Sequence, residues 1–329
     1  MNTVEKIELD GCKILKNIRW FHLTGQGNTK KLLSMFQQIS KRKINLIFVN
    51  CLLGSNIHLN IGIDLECDFG LDEGFKKAGF SDFSKKEAIL LSVFPHKNSP
   101  TITGKILGIY SSSDPKEVVF INSFSAISIV CCKSTSKQII KSLVKDFKFK
   151  RPIEDWCRVQ REQRHLYREV VASYQEKKPK VYFLEYRTNQ HLIELHFCSD
   201  NIVSYLTKVL VNSNGNQVIS FLSSSPKKRG SVLMVSVSNS EFDFSILHQQ
   251  GISLHTDMSV FCMNGPHFGD RYGIAELIFK AVDEADVQVA GISCSTNSIV
   301  GVLKSRDIEK LISYLKDYFE IPSIIKKAC

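Results

Sequence analysis

No stretch of this 329-residue chain holds the ~18 to 20 uninterrupted apolar residues that a membrane-spanning helix needs. No C-x-x-C occurs among its 10 cysteines, and only Cys131 and Cys132 are adjacent. Structural zinc and a disulfide framework both require tighter clustering, so reduced, buried thiols are expected. Cys198, Cys262 and Cys294 fall in apolar strand-like runs, where a thiol behaves as a small hydrophobe. No Ser-His-Asp arrangement or H-E-x-x-H is present, and no cofactor or metal site is implied. The first ten residues carry acidic side chains where a secretory signal would be apolar, which gives a cytoplasmic expectation.

Charge of one sign is also never concentrated. The 43 basic and 33 acidic side chains leave +10, but the cations come in short groups. Lys30-Lys31, Lys41-Arg42-Lys43, Lys227-Lys228-Arg229 and Lys326-Lys327 sit at apparent turns and helix ends. Solvated surface accounts for them, and basic residues do not interleave with aromatics on a strand face as single-strand nucleic-acid binding would require.

What the chain does have is repetition. Ile127-Ser128-Ile129 matches Ile299-Val300-Gly301, and Leu143-Val144-Lys145-Asp146 matches Leu315-Lys316-Asp317-Tyr318, both spaced by 172 positions (127 to 299, 143 to 315). Ile18-Arg19-Trp20-Phe21-His22 lines up with Leu192-Ile193-Glu194-Leu195-His196. A fixed long spacing marks a duplicated architecture. With 43% hydrophobic and 23% charged residues the composition is globular, and the length exceeds one core.

Periodicity places the elements. In the last stretch a strand at Ser259 to Met263 leads through a turn-rich loop to a helix burying Ile274, Leu277, Ile278, Ala281 and Val282. Strands at Val287 to Ser295 and Ser298 to Lys304 follow. Asp307 is placed to cap a final helix with Ile308, Leu311, Ile312, Leu315 and Phe319 on one face. The third stretch repeats this order: a strand at Leu192 to Phe197, a helix face of Ile202, Tyr205, Leu206, Val209 and Leu210, then strands at Gln217 to Leu222 and Ser231 to Val237. In the first stretch a strand at Ile18 to Leu23 precedes a helix burying Leu32, Phe36 and Ile39, with strands at Asn45 to Cys51 and Asn56 to Ile63. In the second, a strand at Ala88 to Phe94 precedes a helix with Ile102, Ile106, Ile109 and Tyr110. Strands at Val118 to Asn122 and Ala126 to Cys132 and a helix at Ser136 to Phe147 complete it. Arg151 to Lys178 is charged but has apolar anchors such as Trp156 and Val170, which predicts a helical connector.

Unit four reads Phe261-Cys262-Met263-Asn264-Gly265, a loop to Gly273, a helix, Ile292-Ser293-Cys294-Ser295, and Ser298-Ile299-Val300. On these residues the chain resembles the ACT domain, most closely the paired regulatory ACT region of aspartate kinases. Unit two keeps the ending as Asn122-Ser123 and Ala126-Ile127-Ser128, with Thr101 or Thr103 near the expected glycine. Units one and three rest on pattern alone. The lysine- and glycine-rich K-F-G-G-T-S motif that opens aspartate kinases has no counterpart here. The resemblance therefore implies an α+β fold of four ferredoxin-like βαββαβ units in two pairs, with helices on one face of antiparallel sheets. The units would span 1–82, 83–150, 180–256 and 257–329, with the connector at 151–179 between the pairs.

The resemblance also implies a regulatory protein that binds an amino acid or similar small metabolite between ACT units, without catalysis. It would join a second copy or a partner enzyme through its sheets. Gly265, His267, Phe268, Gly269, Asp270, Arg271 and Gly273 form the ligand loop. Free N–H groups at the following helix would receive a carboxylate, Arg271 could pair with it, and Asp270 could take an ammonium. Equally, Asp270 and Arg271 could pair with each other while the glycines only permit the turn. Ser293, Ser295 and Asn297 would line the same interface, with Asn122, Ser123 and Ser125 in the corresponding places of unit two, or else satisfy local backbone groups. An interaction scaffold without ligand is the alternative reading, and nucleic-acid binding through the +10 surface ranks below it.

Other motifs carry less. Gly25-Gln26-Gly27-Asn28 lacks the third glycine of a dinucleotide fingerprint and the G-K-[ST] of a P-loop, and reads as a plain strand-to-helix loop. Asp68-Phe69-Gly70 has no accompanying catalytic loop. His22 and His196, at matching positions, read as packing residues.

Overall fold

A computed structural model describes residues 6–54, 56–67, 70–80, 82–95, 99–112, 118–123, 126–151, 153, 177–196, 219–224, 231–238, 252–266, 268–269 and 271–327. The first half runs β1 (Ile7–Leu9), β2 (Gly11–Gly25), α1 (Thr29–Lys41), β3 (Leu46–Leu53), β4 (Ile57–Asp64), α2 (Leu71–Lys77) and β5 (Asp82–Phe94). It continues through α3 (Pro100–Ser112), β6 (Val118–Asn122), β7 (Ile127–Cys132), α4 (Ser136–Asp146) and β8 (Phe147–Phe149). The second half gives β9 (Phe183–His196), β10 (Ile219–Ser224), β11 (Ser231–Ser238), β12 (Ile252–Asn264), α5 (Ile274–Glu284), β13 (Val289–Cys294), β14 (Ser298–Lys304), α6 (Ile308–Tyr318) and β15 (Ile324–Lys327). The fold is mixed α+β, with one large sheet and six α-helices among the described residues. The helix expected at 202–210 and most of the connector lie outside those residues.

Strand order follows from the long strands. β2 and β5 pair antiparallel from Gly11↔Phe94 to Thr24↔Asp82, with a register shift between Leu15 and Ile18. Asn17 stands in that shift at φ 62°, in the left-handed region that Asn enters more readily than most residues. β9 and β12 bend similarly at Asn189 (φ 55°) and Asp257 (φ 56°). Asn17 and Asn189 are 172 positions apart, the same spacing as the matched sequence segments. Such a bulge re-aims a strand, and each long strand thereby serves two neighbouring groups of strands. The strands expected at Ile18 to Leu23 and Leu192 to Phe197 are parts of these longer ones.

The pairing does not stop at neighbours along the chain. Neighbouring stretches share their long strands, in the orders β6-β7-β5-β2-β4-β3 and β13-β14-β12-β9-β11-β10. The edges left over are β3, β6, β10 and β13. An unpaired edge must be covered or joined, and here β3 joins β13 while β6 joins β10. The first stretch therefore meets the fourth, and the second meets the third. With β9 also pairing β11, twelve strands close into a flattened ring. The C-terminal β15, absent from the sequence reading, adds to β9 in parallel, and β1 pairs with β8 outside the ring.

The helices cover the outer faces. On α1, Leu32, Met35, Phe36 and Ile39 are buried, and the Asn28 side chain caps its start by accepting from Lys31 N–H. On α5, Ile274, Ile278, Phe279 and Val282 are buried. These helices meet over the β3–β13 seam, where the Phe36 and Phe279 rings stack at 5.0 Å. α4 and α6 end alike: Phe147 N–H bonds Leu143 C=O in one and Phe319 N–H bonds Leu315 C=O in the other. Asp307 makes no side-chain cap, because a 3₁₀ turn at Ser305–Asp307 precedes α6 and absorbs it.

The inner faces of the ring pack on one another. Ile18, Trp20, Phe48, Ala88, Leu90, Val119, Ile121 and Val130 form one inner cluster. The Trp20 indole N–H donates to Asn60 Oδ1 at 2.9 Å within it. Opposing residues share a face across antiparallel strands, so His22, Asn60, Asn50 and Ser293 form a buried polar row across β2, β4, β3 and β13.

Candidate functional site

The loop between β12 and α5 lies at the β3–β13 seam. A narrow cleft there is lined by Phe268, Arg271, Gly273, Ala275 and Glu276 from the loop and α5, and by Cys294 and Ser295. The facing wall is Phe36, Ile39, Ser40, Ile44, Leu46 and Val49, from α1 to β3. Its free interior is about 20 Å³, the room of one water, within about 370 Å³ of non-protein space that includes the open mouth.

The loop is packed tightly enough to explain its glycines. A Cβ on Gly269 would lie 2.7 Å from Thr296 Cα, and one on Gly265 would lie 2.6 Å from the Lys180 carbonyl. Gly269 N–H donates to Thr296 C=O at 2.7 Å, and Gly265 N–H donates to Asn297 C=O at 2.9 Å. Gly273 precedes α5 with φ 87°, where a side chain would be strained. Having no side chain, it cannot cap α5, whose first residues Ile274, Ala275 and Glu276 line the cleft. Phe268 is buried edge-on against Phe319, ring centroids 6.1 Å apart, which anchors the loop to the end of α6.

Two contacts come from the facing wall. The Asn45 side-chain amide donates to the Gly269 carbonyl, and Ser40 Oγ lies 3.0 Å from where a Gly273 Cβ would stand. Neither residue stands out in the sequence, because the wall belongs to a stretch more than 200 positions away (Asn45 to Gly269 is 224). Burial pushes the Cys294 thiol up to about 12, so the cleft floor offers a neutral thiol.

The predicted residues separate. Phe268, Arg271, Gly273 and Ser295 line the cleft, with Gly269 tied to its rim by Asn45. His267 and Asp270 fall outside the described residues. Ser295 Oγ, just past β13, bonds Ser298 C=O at 3.2 Å and lies 3.4 Å from Asn297 Oδ1. Ser293 lies on the opposite face across from Asn50, and its buried hydroxyl has no hydrogen-bond partner among the described residues. Asn122 ends β6, and Ser123 closes the next turn, its hydroxyl donating to Ala126 C=O at 2.8 Å and accepting from Ala126 N–H at 2.9 Å. Neither adjoins the cleft.

His22 is buried, and desolvation holds its imidazole near pKa 3, against the ordinary 6.5. It is a neutral packing residue between the sheets. Among the described residues no group of His, Cys, Asp and Glu could hold a metal, and no helix is long and apolar enough to cross a membrane.

No protein-family profile matches this chain, and no curated protein sequence matches it significantly. The regulatory subunit of aspartate kinase from Thermus thermophilus, ligand-free, shares 12% identity over 43% of this chain and 99% of its own, at a TM-score of 0.37. Aspartate kinase from Synechocystis superimposes over 94% of this chain with a TM-score of 0.69 and 12% identity. This chain spans 55% of that enzyme's length, and what the two share is the fold: this chain has an aspartate-kinase-like arrangement of strands and helices.

Proposed function

We propose that this protein is a regulatory, amino-acid-sensing protein made of four ACT-type units at 1–82, 83–150, 180–256 and 257–329, with 151–179 as connector. Each unit's own three strands, completed by one long strand of the neighbouring unit, take the order expected of a βαββαβ unit, for example β5-β2-β4-β3 and β9-β12-β14-β13. Units one and four form the sensing pair. The observation that carries the reading is the cleft itself. A glycine-rich loop from unit four opens a helix against the α1–β3 wall of unit one, with Arg271 on its lining. Arg271 would hold the ligand's carboxylate together with the N–H groups of α5, and Asp270 would take its ammonium.

The closed cleft has room for about one water, so binding requires the loop to part from Asn45. That requirement is what makes the site regulatory: a ligand stabilises the parted state only by its differential affinity, ordinarily ~1 to 3 kcal/mol of coupling. The output would be a changed association with a second copy or a partner enzyme. Catalysis has no place in the proposal.

Thermal unfolding in the presence of each proteinogenic amino acid tests it. At least one should raise the midpoint, and Arg271→Ala should abolish that rise while leaving the ligand-free midpoint within a few degrees. The tightness of the loop favours a second reading, an interaction scaffold with no ligand. That reading predicts no rise with any amino acid.

A further inference from the structure

Strand β3 touches more than the cleft. Immediately before its start the Asn45 amide donates to the Gly269 carbonyl of the unit-four loop. Val49 lines the cleft and stands opposite Cys294 across the seam. The next residue, Asn50, faces the other way, as strand alternation requires. It is fully buried, and its Nδ2 donates to the Phe120 carbonyl of β6 at 3.0 Å. Phe120 stands opposite Leu222, the residue pair through which β6 meets β10. One strand therefore holds the cleft loop with one asparagine and the seam of the other pair with a second.

We propose that β3 transmits the state of the cleft to the β6–β10 seam, with Asn45 as its input and Asn50 as its output. β3 is paired on both sides, to β4 and β13, so a pull at one end moves the strand rather than one residue. At the output, breaking a buried amide–carbonyl bond strands two desolvated groups, so Phe120 follows Asn50 at lower cost than it separates.

The inference rests on the proposed function for what opens the cleft, but the mechanical link can be measured without any ligand. Amide hydrogen exchange would be compared in the whole chain for wild type, Asn45→Ala, Asn50→Leu and the double variant. Asn45→Ala, on the far side of the strand, should speed exchange in 118–122 and 219–224 by about five-fold, the lower end of ordinary site-to-site coupling. Asn50→Leu should do the same, and the double variant should exchange no faster there than Asn50→Leu alone. Asn45 is only half-buried, so Asn45→Ala decides the matter if Asn50→Leu does not fold. Acceleration confined to 265–273 and the start of β3, or additive effects in the double variant, would overturn the proposal. Failure to bind any amino acid would instead remove the sensing function and leave this exchange result standing.

Discussion

His22 shows how far a single residue can be followed. It faces the inner side of the ring next to Trp20 and Asn60, and burial keeps it neutral down to about pH 3. In the unfolded chain the same imidazole takes a proton near pH 6.5. Folded His22 therefore binds fewer protons than unfolded His22 between those values. The stability it contributes is complete above pH 6.5 and is lost as pH falls toward 3. Urea denaturation at pH 7 and pH 5 should show a loss of about 2 kcal/mol from this group, and His22→Gln should shrink the difference by that amount. An unchanged difference would mean that His22 protonates without unfolding cost. The packing role was readable from sequence, since the residue sits on an apolar strand with no local carboxylate. The side that Ser293 faces was not. Its neighbours in Ile292-Ser293-Cys294-Ser295 look equivalent until the strand's other partner is known, and that partner lies in the first stretch.

At the level of elements, what the sequence disclosed best was spacing. The match of Leu143 with Leu315 corresponds to two helices that end with the same hydrogen bond, and the strand Ser298–Lys304 has the bounds read from its apolar alternation. Helix α2 and the edge strands β1, β8 and β15 escaped, being seven residues or fewer and without a full period. The bends escaped too, because an asparagine in a strand announces a kink only when its φ is seen. That kink yields a prediction. Asn17→Val places a β-branched side chain in the left-handed region and should cost about 1 to 2 kcal/mol in denaturant titrations, whereas Asn17→Gly should cost little. Equal costs for the two would show that the bend does not depend on backbone conformation at that position. Asn189, its counterpart, should respond in the same order.

At the scale of the whole molecule the long, fixed spacings were legible, but the ring was not. Pairing neighbours along the chain is the natural first reading, and β2 does pair β5 and β9 does pair β12, but those shared long strands leave β3, β6, β10 and β13 as edges. The edges that remain face the other half of the protein, and the candidate cleft forms where two of them meet. Its far wall, Ser40, Asn45 and Val49, was therefore invisible from the loop that faces it. The shared fold with the Synechocystis enzyme spans about half of that protein's length, 55%, and the cleft of this chain has to be judged on its own chemistry.

Isothermal titration of the proteinogenic amino acids into the whole chain is the most direct test of that chemistry. Saturable heat is expected from at least one of them, with one site per chain and loss of that heat in Arg271→Ala. No heat from any amino acid at millimolar concentration, or heat that survives Arg271→Ala unchanged, would contradict it.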